Sequence, residues 1–156
     1  MDTATSSIAS LRGRTALISA PAVCENVPTL RRFALGVLAT WGVAEDDRDS
    51  VALALSELAA NACLHGRTTV VVHLFWQGGF LYLEVSDFGI AAPPPSPLLQ
   101  KETEADEHGR GLAIVEAVAA CTKTVAGPWG RRILAGFHLP SCAGSDAHHV
   151  AQAAAA

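Results

Sequence analysis

The spacing of apolar positions along the chain predicts three helices. In Val27–Trp41 the apolar residues recur at helical spacing, and Gly42 directly afterwards favours a helix end. Asp46–Leu64 has the same period behind an acidic first turn, which the helix dipole favours. A third apolar helix is predicted over Gly111–Ala120.

Strands are predicted in adjacent pairs. Five runs are rich in β-forming residues and are predicted to be strands: Thr15–Ser19, Thr68–Trp76, Phe80–Ser86, Lys123–Ala126 and Arg132–Leu139. Short glycine-containing turns follow the second and fourth runs, so each of these forms a hairpin with the next run. Strand pairs with helices grouped between them indicate an α+β layer sandwich, and argue against a parallel doubly wound sheet.

Three stretches lack a usable period. Residues 1–13 and 141–156 are small and polar, so we expect flexible tails around a folded domain at residues 14–140. Residues 90–108 carry four prolines and then an acidic stretch. A loop of this length inside a domain is usually a functional lid or a disordered linker. Its position directly before a glycine-rich helix start favours a lid.

Composition narrows the class of protein. The chain has 156 residues, and half of them are apolar, as expected for one globular domain. Its formal net charge is −4. A mildly acidic chain without a basic cluster is a poor candidate for binding nucleic acid or an anionic membrane. No apolar run is long enough to span a bilayer, and the N-terminus does not resemble a signal peptide. The four cysteines form no C-x-x-C pair. We therefore expect a cytoplasmic protein with reduced thiols.

The second predicted helix carries two polar residues on one face. Glu57 and Asn61 lie one turn apart in a segment that is apolar on nearly all other faces. This face is either exposed to solvent, or it faces a pocket in which a carboxylate base lies beside an oxygen ligand for a hard cation such as Mg²⁺. The helix alone leaves both interpretations open.

Two further signals have the same ambiguity. Alternation along Phe80–Ser86 places Asp87 on the core-facing side of the predicted strand. There, either its carboxylate accepts a hydrogen bond from a donor such as an amino group, or the residue begins a turn. In Gly109-Arg110-Gly111-Leu112, two glycines precede an apolar stretch. Backbone N–H groups at such a helix start can bind an anion, although this motif alone is a weak signal for phosphate.

Together, these motifs resemble those of the Bergerat ATP-binding fold. This fold is shared by gyrase B, histidine-kinase catalytic domains, MutL and a class of heat-shock chaperones. The chain has E-x-x-x-N on a helix, D-x-G after a strand, a long loop and G-x-G, in that order. Within the superfamily it is most similar to the small anti-sigma-factor serine/threonine kinases of actinobacterial type. The resemblance covers about Thr15 to Pro140, and it implies a two-layer α/β sandwich whose mixed, mostly antiparallel sheet carries helices on one face.

The resemblance also implies a role for each motif residue. Glu57 would be the catalytic base that activates a serine or threonine hydroxyl, and Asn61 would be the Mg²⁺ ligand. Asp87 would accept a hydrogen bond from the adenine amino group, and Gly89 would let the backbone approach the adenine ring. The remaining ATP-binding residues would be those at the phosphates: Gly109, Arg110, Gly111 and Leu112. Residues 90–108 would be the ATP lid.

The implied activity is phosphorylation of an anti-sigma-factor antagonist protein with MgATP, together with sequestration of a sigma factor. Homodimers are common in this family. The chain departs from the family in two places: the lid contains a proline run, and the stretch Arg132–Ala135 lacks a Thr that often supports the adenine site. The alternative is a non-catalytic, nucleotide-dependent protein-binding module that regulates transcription.

Overall fold

The computed structural model describes residues 6–10, 14–64, 68–88 and 103–139. This part of the chain forms six strands and three α-helices, and a short 3-10 helix at Cys24–Asn26 precedes the first of them. The elements in chain order are β1 (Ser6–Ser10), β2 (Thr15–Pro21), α1 (Val27–Thr40), α2 (Glu45–Leu64), β3 (Thr69–Gln77), β4 (Phe80–Phe88), α3 (Thr103–Val118), β5 (Cys121–Gly127) and β6 (Gly130–His138).

The strands form one sheet in the order β1-β2-β3-β4-β6-β5. Each of the five strand pairings in the described ranges is antiparallel, in agreement with the mostly antiparallel sheet that the resemblance implies. Antiparallel pairing follows where a tight hairpin joins the strands, because a parallel pair needs a long crossover. The two predicted hairpins, β3–β4 and β5–β6, are confirmed. Between β3 and β4, Gly78 and Gly79 both have positive φ, as a two-residue turn of this kind requires.

One face of the sheet carries the helices. Along β3, Val70, Val72 and Leu74 are fully buried, and the residues between them are only partly buried. The α2 helix packs against β3, β4 and β6, and it also contacts α1 and α3. The core therefore lies between the sheet and α2, and the predicted α+β two-layer sandwich is confirmed.

Local interactions hold α1 in place. Gly42, with φ 76°, ends the helix. The Gly42 and Val43 N–H groups then donate to the carbonyl oxygens of Ala39 and Leu38, each at 3.0 Å. These two bonds form a Schellman motif, which satisfies carbonyls that the helix end leaves unpaired.

Two predicted boundaries were wrong. The predicted N-terminal tail includes β1, which pairs with β2 along its whole length. The third helix begins at Thr103, eight residues before the predicted start at Gly111. The acidic residues Glu104, Asp106 and Glu107 lie near this start, where the helix dipole favours negative charge. Residues 103–108 of the predicted lid are therefore helical, while the rest of the lid and the predicted C-terminal tail lie outside the described residues.

Candidate nucleotide site

Asp87 lies near the end of β4 on the helix-covered side of the sheet. It is only 4% exposed, and it lies opposite Arg131 in the pairing of β4 with β6. Its Oδ1 accepts a hydrogen bond of 2.7 Å from the Arg131 backbone N–H, and Oδ2 lies 3.7 Å from Arg131 Nε. A buried carboxylate needs such partners, because an unpaired charge away from water is unfavourable by several kcal/mol. Arg131 therefore fixes the orientation of the Asp87 carboxylate.

The turn between β5 and β6 lies very close to Asp87. A Cβ added to Gly130 would collide with the Asp87 carbonyl oxygen, and it would lie 3.0 Å from the carbonyl carbon. Gly130 also has φ 153°, a value that residues with side chains rarely adopt. A glycine is therefore required at Gly130 for β6 to approach the end of β4.

Glu57 and Asn61 lie on α2 and are both half-buried. A Cβ added to Gly111 of α3 would lie 3.1 Å from Glu57 Oε2, so the carboxylate is close to the α3 backbone. Next to Glu57, the Ser56 hydroxyl accepts a 3.1 Å hydrogen bond from Arg31 Nη1 on α1. The structure therefore brings Glu57 next to Gly111, on a helix that also contacts α1.

The glycine motif lies inside α3. Gly109, Arg110, Gly111 and Leu112 are all helical, although the sequence predicted that the motif lies at the start of the helix, with Gly111 as its first residue. Arg110 is exposed, and Leu112 packs against the core. Inside a helix, backbone N–H groups donate to carbonyls of the preceding turn, so they are not directed at an external anion. The expected phosphate cradle is therefore not formed in this conformation.

Comparisons with known proteins address the fold directly. The sequence profile of the histidine kinase-like ATPase domain matches residues 20–133. The chain belongs to this ATPase family. The chain is also similar to the crystal structure of the RsbU and RsbW domains of Rv1364c from Mycobacterium tuberculosis, with a TM-score of 0.62 and 24% identity. The match covers 80% of this chain and 32% of that chain. A search of curated proteins gives no significant match.

In this ATPase-family chain, a cleft of about 280 Å³ adjoins Asp87. Its lining includes Asp87, the two arginines Arg131 and Arg132, and the apolar residues Phe88, Val125 and Trp129. These three apolar residues are 44%, 52% and 73% exposed, an unusual exposure for large hydrophobic groups in one small region. The cleft at the β5–β6 turn therefore combines charged and apolar residues, as many ligand sites do.

The predicted role of Gly89 and the predicted Mg²⁺ site at Asn61 have no further structural support. Gly89 lies outside the described residues. Among the residues that are described, no group of three or more His, Cys, Asp or Glu side chains could hold a metal ion. Asn61 still offers an amide oxygen, which is a ligand type that Mg²⁺ accepts alongside phosphate oxygens.

A thiol follows Asn61 by two residues on α2. Burial raises the pKa of Cys63 to about 11, and the neighbouring Cys24 thiol makes the second-largest contribution. Cys63 is therefore protonated near neutral pH, and as a thiol it is a poor nucleophile.

No helix in the described ranges has the length and apolar character needed to cross a membrane.

The sequence interpretation missed Arg131 and Gly130. Arg131 directly precedes the Arg132–Ala135 stretch in which no supporting Thr was found. The available signal was a glycine followed by two arginines at the start of a predicted strand. Only the register of β4 on β6 shows which of the two arginines is paired with Asp87.

Proposed function

We propose that this chain is a cytoplasmic, ATP-binding regulator of the anti-sigma-factor type. In this proposal it transfers the γ-phosphoryl group of MgATP to a serine or threonine of an anti-sigma-factor antagonist protein. Membership of the histidine kinase-like ATPase family supports nucleotide binding. Similarity to a structure that contains an RsbW domain motivates the choice of partner. Binding of a sigma factor and formation of a homodimer are parts of the same proposal.

The residues present are suited to hold MgATP. Asp87 is a buried acceptor beside an apolar cleft, which suits a flat base with an exocyclic amino group. Asn61 would hold the cation through its side-chain oxygen, and the Gly109–Leu112 backbone would contact phosphates after a change in α3. Gly89 would allow close approach of the base. When bound, MgATP supplies the phosphoryl group, and the protein contributes mainly positioning and charge stabilisation.

The position of Glu57 is the observation that carries the kinase assignment. Its carboxylate is half-buried on α2, one turn before Asn61, and lies close to the α3 backbone at Gly111. A half-buried carboxylate can accept the proton of an attacking hydroxyl that comes within hydrogen-bonding distance of it. Glu57 would thus act as the general base, and Asn61 would act through the metal ion.

One observation favours the second candidate, a non-catalytic module whose partner binding depends on nucleotide. The glycines Gly109 and Gly111 are inside α3, so a nucleotide must first change this helix before the backbone can contact phosphate. Such a change could alter a partner surface without any chemistry. In this candidate function, Glu57 would have no role in a reaction.

The experiment that separates the two functions compares Glu57→Gln with Glu116→Gln. Glu116 is an exposed residue on α3 outside the Gly109–Leu112 motif, so its variant makes the same change of charge at a solvent-exposed position. The wild type and both variants are incubated with labelled ATP, Mg²⁺ and small antagonist proteins encoded near this gene. We expect Glu57→Gln to bind ATP within a few-fold of wild type and to lose about 10²- to 10⁴-fold in transfer rate.

The outcomes distinguish the proposals clearly. Transfer by wild type and Glu116→Gln, with loss in Glu57→Gln, supports the kinase. If none of the three proteins transfers phosphate while ATP still changes their affinity for a partner, the kinase assignment is wrong and the binding module is the better account. If ATP does not bind to the wild type, both functions are wrong.

A further inference from the structure

The contact between Arg131 and Asp87 has a chemical consequence for the choice of base. Adenine presents two adjacent polar groups on one edge, a donor at the exocyclic amino group and an acceptor at ring nitrogen N1. Asp87 provides only acceptors when ionised, whereas a guanidinium provides only donors. The structure holds these two groups next to each other, with Arg131 Nε 3.7 Å from Asp87 Oδ2.

We propose that Arg131 is a second base-recognition residue, whose guanidinium donates to N1 of adenine while Asp87 accepts from the amino group. The inference rests on the proposed ATP binding and adds a residue that determines specificity. In this chain Arg131 would supply the polar support for the adenine site, since the Arg132–Ala135 stretch contains no Thr.

Three features of the structure favour this role. Arg131 is 24% exposed in its side chain, so its guanidinium is partly shielded from water and its hydrogen bonds are worth more than at the surface. Arg131 also lines the apolar cleft beside Asp87. A separation of 3.7 Å is longer than a good charged hydrogen bond, so the guanidinium can approach another acceptor without losing an optimal contact.

The orientation of Asp87 does not depend on the Arg131 side chain alone. The 2.7 Å bond to Oδ1 comes from the Arg131 backbone N–H, and any residue except proline supplies it. A substitution of Arg131 therefore keeps the backbone hydrogen bond to the carboxylate and removes the guanidinium beside it. This separates a direct contact with the base from a general loss of the site.

Arg132 provides a matched control. It is the next residue on β6, so its side chain lies on the opposite face of the sheet. There Arg132 Nε lies 3.5 Å from Glu84 Oε1, and the side chain is 58% exposed. Arg132→Leu removes the same side chain and the same charge as Arg131→Leu from another residue that lines the cleft, but it leaves the arginine paired with Asp87 in place.

The test measures dissociation constants by calorimetry for ATP, for the 1-deaza analogue of ATP, which lacks N1, and for the 7-deaza analogue, which retains it. For wild type we expect the 1-deaza analogue to bind about ten- to a hundredfold more weakly than ATP. The 7-deaza analogue should bind nearly as ATP does. In Arg131→Leu the affinities for ATP and for the 1-deaza analogue should become equal within about threefold, because the guanidinium that would donate to N1 is already absent.

Arg132→Leu should retain the wild-type ratio between ATP and the 1-deaza analogue, and Arg131→Lys should restore part of it. If wild type binds ATP but Arg131→Leu keeps the wild-type ratio, this inference alone is wrong. A uniform loss of affinity for all three nucleotides in Arg131→Leu, with the ratio unchanged, also overturns it, since Arg131 would then only position Asp87. Failure of the wild type to bind ATP overturns both this inference and the proposed function.

Discussion

The close approach of β6 to the end of β4 predicts that Gly130 is unusually sensitive to substitution. In Gly130→Ala the new methyl group collides with the Asp87 carbonyl oxygen and also lies 3.3 Å from Phe88 Cα. Both neighbours belong to the backbone of a paired strand, so neither can rotate away. The two strands must separate locally, which also stretches the 2.7 Å bond between Asp87 Oδ1 and the Arg131 N–H.

The expected loss of stability follows from two terms. Forcing a methyl group into a packed contact destabilises by about 1–3 kcal/mol. Holding alanine at φ 153° adds strain of about 1–3 kcal/mol. The sum is about 2–6 kcal/mol, a large fraction of the roughly 5–15 kcal/mol that a domain usually has. For a chain of this size, we expect Tm to fall by at least about 4 °C.

Gly127→Ala is the control for this prediction. Gly127 lies opposite Gly130 at the same turn, but a Cβ on it would have its nearest neighbour at 4.0 Å, which is ordinary contact. We expect its free energy of unfolding to lie within about 1 kcal/mol of wild type. Denaturant unfolding followed by circular dichroism measures both variants. If Gly130→Ala and Gly127→Ala agree within about 0.5 kcal/mol, the reasoning about the β4–β6 contact is refuted.

Three further predictions concern the site. Asp87→Ala should weaken ATP and ADP binding about ten- to a hundredfold in calorimetry, since a hydrogen bond to a charged group is lost; an affinity equal to wild type would remove Asp87 from the site. Cys63 should react with alkylating reagents more slowly than the exposed Cys24 and Cys121 in peptide mapping, and its rate should rise about tenfold per pH unit up to its pKa of about 11, because only the thiolate reacts. Equal rates at pH 8 would contradict the raised pKa. Limited proteolysis should cut the predicted lid, residues 90–108, more slowly with MgATP present, whereas identical cleavage rates would indicate a linker.

The sequence predicted those parts of the fold that depend on local pattern. The β3–β4 turn at Gly78 and Gly79 requires positive φ in two consecutive residues, and glycine adopts it readily. The end of α1 at Gly42 is local in the same sense. These features need no knowledge of the rest of the chain, so reading the residues in order is enough.

The missed features depend on contacts between distant parts of the chain or on competing preferences. Asp87 and Arg131 are 44 positions apart, and their contact follows only from the register of β4 on β6. The β1 segment Ser6–Ser10 has weak strand character by itself and forms along the edge of β2. The α3 boundary was misplaced because glycine disfavours helices, while the acidic residues upstream favour one.

The two glycines inside α3 also bear on the energetics of nucleotide binding. Each glycine makes a helix interior about 1 kcal/mol less stable than alanine would, so the helix around Gly109 and Gly111 is easy to open locally. If phosphate contacts require the open form, the measured affinity equals the intrinsic affinity multiplied by the open fraction. An open fraction of about one tenth would weaken ATP binding only about tenfold. Amide hydrogen exchange of α3 would therefore report directly on how much of the binding free energy this chain uses to rearrange itself.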